Sequence, residues 1–204
     1  MPKQGIGISL VHINKRFKSV SNITPYLNGL YGKRYSGYFG VTTGSNDNVN
    51  WFATATRSSG TSAPHYDEES TSDFTLFSSS PDYQSYDNYS WQWLGYFKAP
   101  STDSYTFKLQ SDDASYIWIG DNAKSGFTRD NATVNCGGLR GYTSVTGSPI
   151  SLVGGTYYPV RIQYGENAGG DKLTVSYHTS TNSSTEITDF TGKFFHINNQ
   201  DFSA

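Results

Sequence analysis

The chain is short of several things, and each shortage removes a class of answer. Among 204 residues there is one cysteine, Cys136. No intrachain disulfide is available, so a hydrophobic core has to hold the fold, and a chain of this length can bury one. Cys136 also lacks a cysteine partner for redox work, and beside Gly137-Gly138 it reads as structural. No apolar run approaches the length of a membrane span. The start, MPKQGIGISLVHINKRF, has no apolar stretch followed by a small-residue cleavage site, so a Sec signal peptide is not expected. Long windows with apolar residues at i, i+3, i+4 and i+7 are missing, which makes helix a minor component. Catalytic signatures are missing too. His12, His65, His178 and His196 lack HExxH spacing, and no Gly-x-Ser-x-Gly elbow occurs. Nothing sets Glu68 and Glu69 at the separation that paired-carboxylate chemistry needs, so an enzyme is not expected.

Acid is absent from the beginning of the chain. No Asp or Glu precedes Asp47, while Lys3, Lys15, Arg16, Lys18, Lys33 and Arg34 all do. The net charge of -2 therefore hides a basic start and an acidic remainder. A basic arm suits an acidic partner surface or nucleic acid. No basic-aromatic groove pattern accompanies it, so no nucleic acid is expected as a partner. Residues 1–28 are read as an N-terminal arm or docking segment.

Aromatics and glycine are what the chain has in quantity: 16 Tyr, 12 Phe, 4 Trp and 21 Gly, against 16% charged residues. That balance suits pleated, half-buried strands joined by tight turns, and favours an all-β sandwich or barrel. The densest stretch is Trp91 to Asn122. Strand-like runs at Trp91–Phe97 and Ser104–Gln110 are joined through Lys98–Asp103 and read as a hairpin. A third run, Ala114–Ile119, follows the acidic corner Ser111-Asp112-Asp113, where a loop can present oxygens to an ion or ligand. Residues 57–72 are polar and read as a surface loop, with Phe74 restoring a strand or edge. Further strands are expected at Ile150–Val153, Tyr157–Tyr164 and Leu173–Tyr177, and a last one through Phe194, Phe195 and Ile197. Pro159 suggests an edge position or a bulge. Between two of these strands lies Gly165–Asp171 (GENAGGD), a polar glycine-rich loop.

Four pieces in order carry a family resemblance. They are Gly29-Leu30-Tyr31-Gly32 with Tyr38-Phe39; Trp93-Leu94-Gly95-Tyr96-Phe97-Lys98-Ala99-Pro100 with Ser104-Tyr105-Thr106-Phe107; Ser111-Asp112-Asp113-Ala114 with Trp118-Ile119-Gly120; and Gly155–Ile162 with Leu173–Ser176. Together they resemble the PA14 family, and within it the GLEYA-type branch known from fungal adhesins. The resemblance spans roughly residues 29–196. It implies an antiparallel β-sandwich with jelly-roll-like packing, preceded by the arm and followed by a tail at 197–204.

In calcium-dependent sugar-binding members, two consecutive Asp joined by a cis peptide aim both carboxylates at one Ca2+. A second loop adds an Asn side chain and backbone carbonyls, and sugar hydroxyls complete the shell. The resemblance places the Asp pair on Asp112 and Asp113. It places the second loop on Asn167, the carbonyl of Gly169 and a group at Asp171, with Glu166 as an alternative to Asn167. Asp112, Asp113 and Asn167 are also the implied carbohydrate contacts. The chemistry is consistent, since Ca2+ takes six to eight hard oxygens with tolerant geometry. The bland alternatives are an ordinary acidic turn at Asp112-Asp113 and plain turn chemistry at Asn167 and Asp171. Tyr142 and Tyr66 are candidate sugar platforms. Trp91, Trp93 and Trp118 are expected in the core, with Trp51 more open.

The expected function is a calcium-dependent carbohydrate-binding module that attaches something to a cell-surface glycan. The alternative is a structural or assembly virion protein that uses the fold as a scaffold without binding sugar. A fungal adhesin would need a signal peptide and a long stalk, and neither is expected from this sequence. The expected location is therefore a phage virion or other particle surface, with the basic arm holding other particle proteins. Weak single sites would gain avidity from a homo-oligomer or from repeated display.

Overall fold

In a computed structural model, the residues described are 25, 27–40, 47–55, 68–71, 73–76 and 87–198. Residues 1–24 and 199–204 lie outside them, as do Tyr66 and Phe77. Most of the docking-arm reading and of the tail reading therefore falls outside the described residues, although Leu27–Asn28, at the end of the arm, pair with the larger sheet.

Thirteen strands are present among the described residues: β1 (Leu27–Asn28), β2 (Leu30–Ser36), β3 (Glu68–Thr71), β4 (Thr75–Leu76), β5 (Tyr89–Lys98), β6 (Asp103–Asp112), β7 (Ala114–Ile119), β8 (Val134–Cys136), β9 (Thr143–Thr146), β10 (Ile150–Leu152), β11 (Tyr157–Glu166), β12 (Lys172–Thr179) and β13 (Phe194–His196). Short 3-10 turns sit at Trp51–Ala53 and Asp121–Ala123. Among the described residues, no helix is long and apolar enough to cross a membrane. The strands form two antiparallel sheets. The larger runs β1-β13-β5-β11-β7-β8, with β2 also on β5 and β3 on β2. The smaller runs β10-β6-β12-β4, with β9 also on β6. The expected all-β sandwich is the observed architecture.

The burial pattern follows from this layering. Along β6, Tyr105, Phe107, Leu109 and Ser111 are buried while the residues between them are half-exposed. That is the period-two signature of a strand with one covered face. Its buried side meets Trp91, Trp93 and Phe97 of β5 and Val160, Ile162 and Tyr164 of β11 in one core cluster. Strands β5 and β11 are buried on nearly every residue, because the larger sheet is covered on its second face as well. There Tyr38, Phe39, Val49 and Phe52 pack on Ala114, Tyr116 and Trp118. The same outer layer buries polar groups in mutual bonds. Gln92 Oε1 accepts from Arg161 Nη1 and from Gln163 Nε2, and Gln163 Nε2 also donates to the Val49 carbonyl at 2.9 Å. Such groups are costly inside unless bonded in this way.

Three local expectations are corrected. The runs around Trp91–Phe97 and Ser104–Gln110 are strands, but they do not form a hairpin. β5 pairs with β11, β2 and β13, whereas β6 pairs with β12, so the Pro100 connection crosses from one sheet to the other. Both strands carry inward aromatics, and facing them across the core buries more apolar surface than laying them side by side. Pro159 is not on an edge strand, since β11 is flanked by β5 and β7. Gly120 N donates to the Pro159 carbonyl at 2.8 Å, and the ladder to β7 begins only at Val160. The missing proline N–H thus falls where a neighbour strand has already ended. Residues 57–72 are not wholly a loop, because 68–71 form β3 and pair with Leu30–Lys33. β8 and β9, short and only partly apolar, were not expected.

Candidate functional site

The acidic corner lies where the chain changes sheets. Asp112 ends β6 in the smaller sheet and Ala114 begins β7 in the larger one, so Asp113 alone makes the crossing. Two further crossings occur at the same end of the sandwich. β11 ends at Glu166 beside Ser90 and Tyr89, with Gly165 opposite Ala114, and β12 begins with Lys172 opposite Asp112. β8 ends with Cys136 opposite Ser115, and β9 begins with Thr143 opposite Ser111. Register alone therefore gathers the corner, the Asn167–Asp171 loop and the Gly137–Tyr142 loop into one patch.

Backbone donors hold the corner in place. The Asp112–Asp113 peptide is cis, as the resemblance implied. Asp113 Oδ1 accepts the Arg140 N–H at 2.8 Å, and Oδ2 accepts the Asn167 N–H at 3.0 Å. The Asp112 carboxylate accepts the Tyr142 N–H. Ser111 Oγ donates to the Asp113 carbonyl and lies 2.7 Å from Ser115 Oγ. Both neighbouring loops thus bond directly to the carboxylates and fix their orientation.

The second loop is arranged as follows. The Asn167 carbonyl accepts the Asn88 N–H at 3.0 Å, and its half-buried side-chain amide bonds to no described residue. Gly169, at φ 110, donates its N–H to Asp87 Oδ1 at 3.1 Å. A positive φ is the conformation glycine adopts without a Cβ penalty. Asp171 is buried, with Oδ2 accepting from Tyr89 Oη at 2.8 Å and Oδ1 bonded to nothing among the described residues. Glu166 is fully buried, and its Oε1 is likewise without a hydrogen-bond partner. Carboxylate oxygens of Asp112, Asp113 and Glu166 all lie within 4.8 Å of one another. The structure thus brings Asp112, Asp113 and Glu166 together, sets the Asn167 N–H on Asp113, and ties Asp171 to Tyr89.

The electrostatics are those of crowded acids. Burial, then Asp113, Asp171 and Asp112, push the Glu166 carboxyl up to about 9. Burial first, with Asp87 and Asp112 adding to it against the Tyr89 hydrogen bond, pushes Asp171 up to about 6. Burial and then Asp113 raise Asp112. Like charges so close resist ionising together, and a bound cation removes that resistance. Buried carboxylate oxygens with no protein partner are what a hard, oxygen-seeking cation uses. The residues present therefore fit calcium.

One contributor was invisible in the sequence. Asp47, buried, accepts from Tyr116 Oη at 2.7 Å, from the Gly138 N–H at 2.6 Å and from Tyr38 Oη at 3.4 Å. It anchors the loop that carries Arg140 and Tyr142. A Cβ on Gly137 would stand 1.7 Å from Tyr116 Oη, so only glycine allows this approach. Being the first acid in the chain was the sole local signal of Asp47. On the rim, Tyr142 is 44% exposed, and Lys172 Nζ lies 4.0 Å from its ring centroid. The three tryptophans expected inside are all buried; Trp51 is half-buried, edge-on to Tyr35 and Phe52. Asp121 and Asn122 lie in an exposed 3-10 turn.

Comparison with known proteins agrees with this architecture. Residues 89–179 match the GLEYA domain. No curated protein matches the chain. Among solved structures, the chain is similar to the epithelial adhesin 6 A domain from Candida glabrata in complex with Galβ1-3GlcNAc, at TM-score 0.57 and 20% identity, covering 88% of this chain and 91% of that one. It is similar to the PA14 sugar-binding domain from an RTX adhesin, at TM-score 0.56 and 17% identity, over 84% of this chain and 100% of that one. It is also similar to an anti-sigma factor domain-containing protein, at TM-score 0.57 and 16% identity, over 85% of this chain and 50% of that one. At these identities the structural likeness speaks for the fold alone. Residues 89–179 are thus similar to the GLEYA domain, within a β-sandwich of the kind these adhesin and PA14 structures share.

Proposed function

We propose that this domain is a calcium-dependent carbohydrate-binding module for attachment to a cell-surface glycan. The observation that carries the reading is the corner itself. Asp112 and Asp113 present carboxylates at the end of the sandwich, each held by backbone N–H groups from a neighbouring loop. Side chains fixed in this way lose little further freedom when an ion binds. Asp112 and Asp113 would hold the ion, with Asn167, Gly169 and Asp171 on the adjoining loop. Bound there, calcium supplies open coordination positions for neighbouring sugar hydroxyls. Tyr142 offers an apolar face beside those positions, and Lys172 a donor. The sugar-bound adhesin domain and the PA14 sugar-binding domain among similar structures support this reading.

Residues 29–196 are proposed as the module, with residues 1–28 docking it to other proteins of a phage or similar particle. Display of many copies on that surface would supply avidity. The test is calcium titration by calorimetry, followed by a glycan array with and without chelator. Binding of a glycan only with calcium is the expected result. An array blank in both conditions removes the lectin reading and leaves a scaffold role for the fold.

A further inference from the structure

We infer that Glu166 is the third carboxylate ligand of the ion site, forming its floor beneath Asp112 and Asp113. The inference rests on the calcium reading above and deepens it: the side chain that the second loop adds is Glu166, at the end of β11, while Asn167 contributes its backbone.

Geometry is the first argument. Two oxygens on one calcium, each bonded at about 2.3–2.6 Å, are at most roughly 4.6–5.2 Å apart. The oxygens of Asp112, Asp113 and Glu166 lie within 4.8 Å of one another, so a point within about 2.8 Å of all three exists, close to a calcium–oxygen bond length. Direction is the second. Tyr164 and Glu166 stand two residues apart on β11 and so share a face of the sheet. Tyr164 belongs to the core between the sheets, and its hydroxyl donates to the Asp112 carbonyl at 2.6 Å. Glu166 therefore rises from the interior towards the underside of the corner, whereas Asn167, just beyond the strand, bonds Asp113 through its N–H.

The third argument is what Glu166 lacks. It is fully buried, and among the described residues Oε1 has no partner and Oε2 has only the Tyr164 hydroxyl at 3.4 Å. Among the described residues no lysine, arginine or histidine pairs with it. A buried carboxyl facing two other carboxylates, without a counter-ion, lowers stability rather than raising it. A hard dication between them reverses the sign. Three carboxylates would also leave the Asn167 amide free for sugar.

The test uses the full chain, with calcium titrated by calorimetry and thermal melts run in chelator and in saturating calcium. Glu166→Gln is expected to weaken calcium binding at least tenfold and to shrink the calcium-induced rise in Tm. In chelator it should melt no lower than the wild type, because glutamine needs neither a charge nor a retained proton among these acids. Asn167→Ala should change calcium affinity less. Should Glu166→Gln fold poorly, Glu166→Asp keeps the charge, shortens the reach and should weaken calcium binding. Wild-type affinity in Glu166→Gln, or a lower Tm in chelator with an unchanged calcium increment, overturns the inference and leaves the calcium reading standing. A wild type that binds no calcium overturns both.

Discussion

The N–H of Asn167 donates to Oδ2 of Asp113 at 3.0 Å, across 54 residues of chain. The loop after β11 and the corner after β6 are thereby one unit, joined by protein bonds alone. The Arg140 N–H on Oδ1 adds the third crossing to that unit. A site assembled from three connections in this way should respond as a whole to changes at its centre.

Asp113→Ala removes both the proposed ion ligand and the acceptor for two loops. Calcium binding should be lost in calorimetry while circular dichroism still shows a cooperative β melt. Two unanswered N–H groups should lower stability by roughly 1–3 kcal/mol. A variant that titrates like the wild type would place the ion elsewhere.

Stability without calcium should depend on pH in an unusual direction. Glu166 is pushed up to about 9 from an ordinary 4.5, and Asp171 up to about 6 from 3.8. Between those values the unfolded chain releases protons that the folded chain retains, so stability falls as pH rises. In chelator, Tm should decline from about pH 4.5 towards pH 9, and saturating calcium should flatten the decline. A chelated Tm that climbs over that range contradicts the crowding of these acids.

Asp47→Ala should loosen the Gly137–Tyr142 loop from a distance. It leaves the Tyr116 hydroxyl and the Gly138 N–H without their acceptor. Hydrogen exchange at the Gly138 to Tyr142 amides should speed up, and calcium affinity should fall by less than in Asp113→Ala. Unchanged exchange there would show that Asp47 does not anchor the loop.

Tyr142→Ala separates the sugar from the ion. Its N–H on Asp112 survives the substitution, so the calcium titration should be unchanged while glycan affinity drops. Equal glycan affinity in both proteins would move the sugar contact to another part of the rim.

The sequence by itself determined the material of this fold. Its aromatic, glycine-rich strands favour an all-β sandwich or barrel, and the missing 3.6-residue periodicity makes helix a minor component. Asp112-Asp113 was legible as an acidic corner between two strands, and as a candidate ion site through the family resemblance. What a single strand could not state was its neighbours. Pairing depends on contacts distant in the chain, so β5 and β6, adjacent in sequence, faced each other across the core instead of forming a hairpin. The same physics hid much of the site. Asp47 looks like an ordinary loop acid, and Glu166 like one more polar residue in GENAGGD. Only antiparallel register sets Gly165 opposite Ala114 and Lys172 opposite Asp112. That register carries Glu166 beneath the acidic corner, leaving its Oε1 in a buried place where no donor of the described residues reaches it.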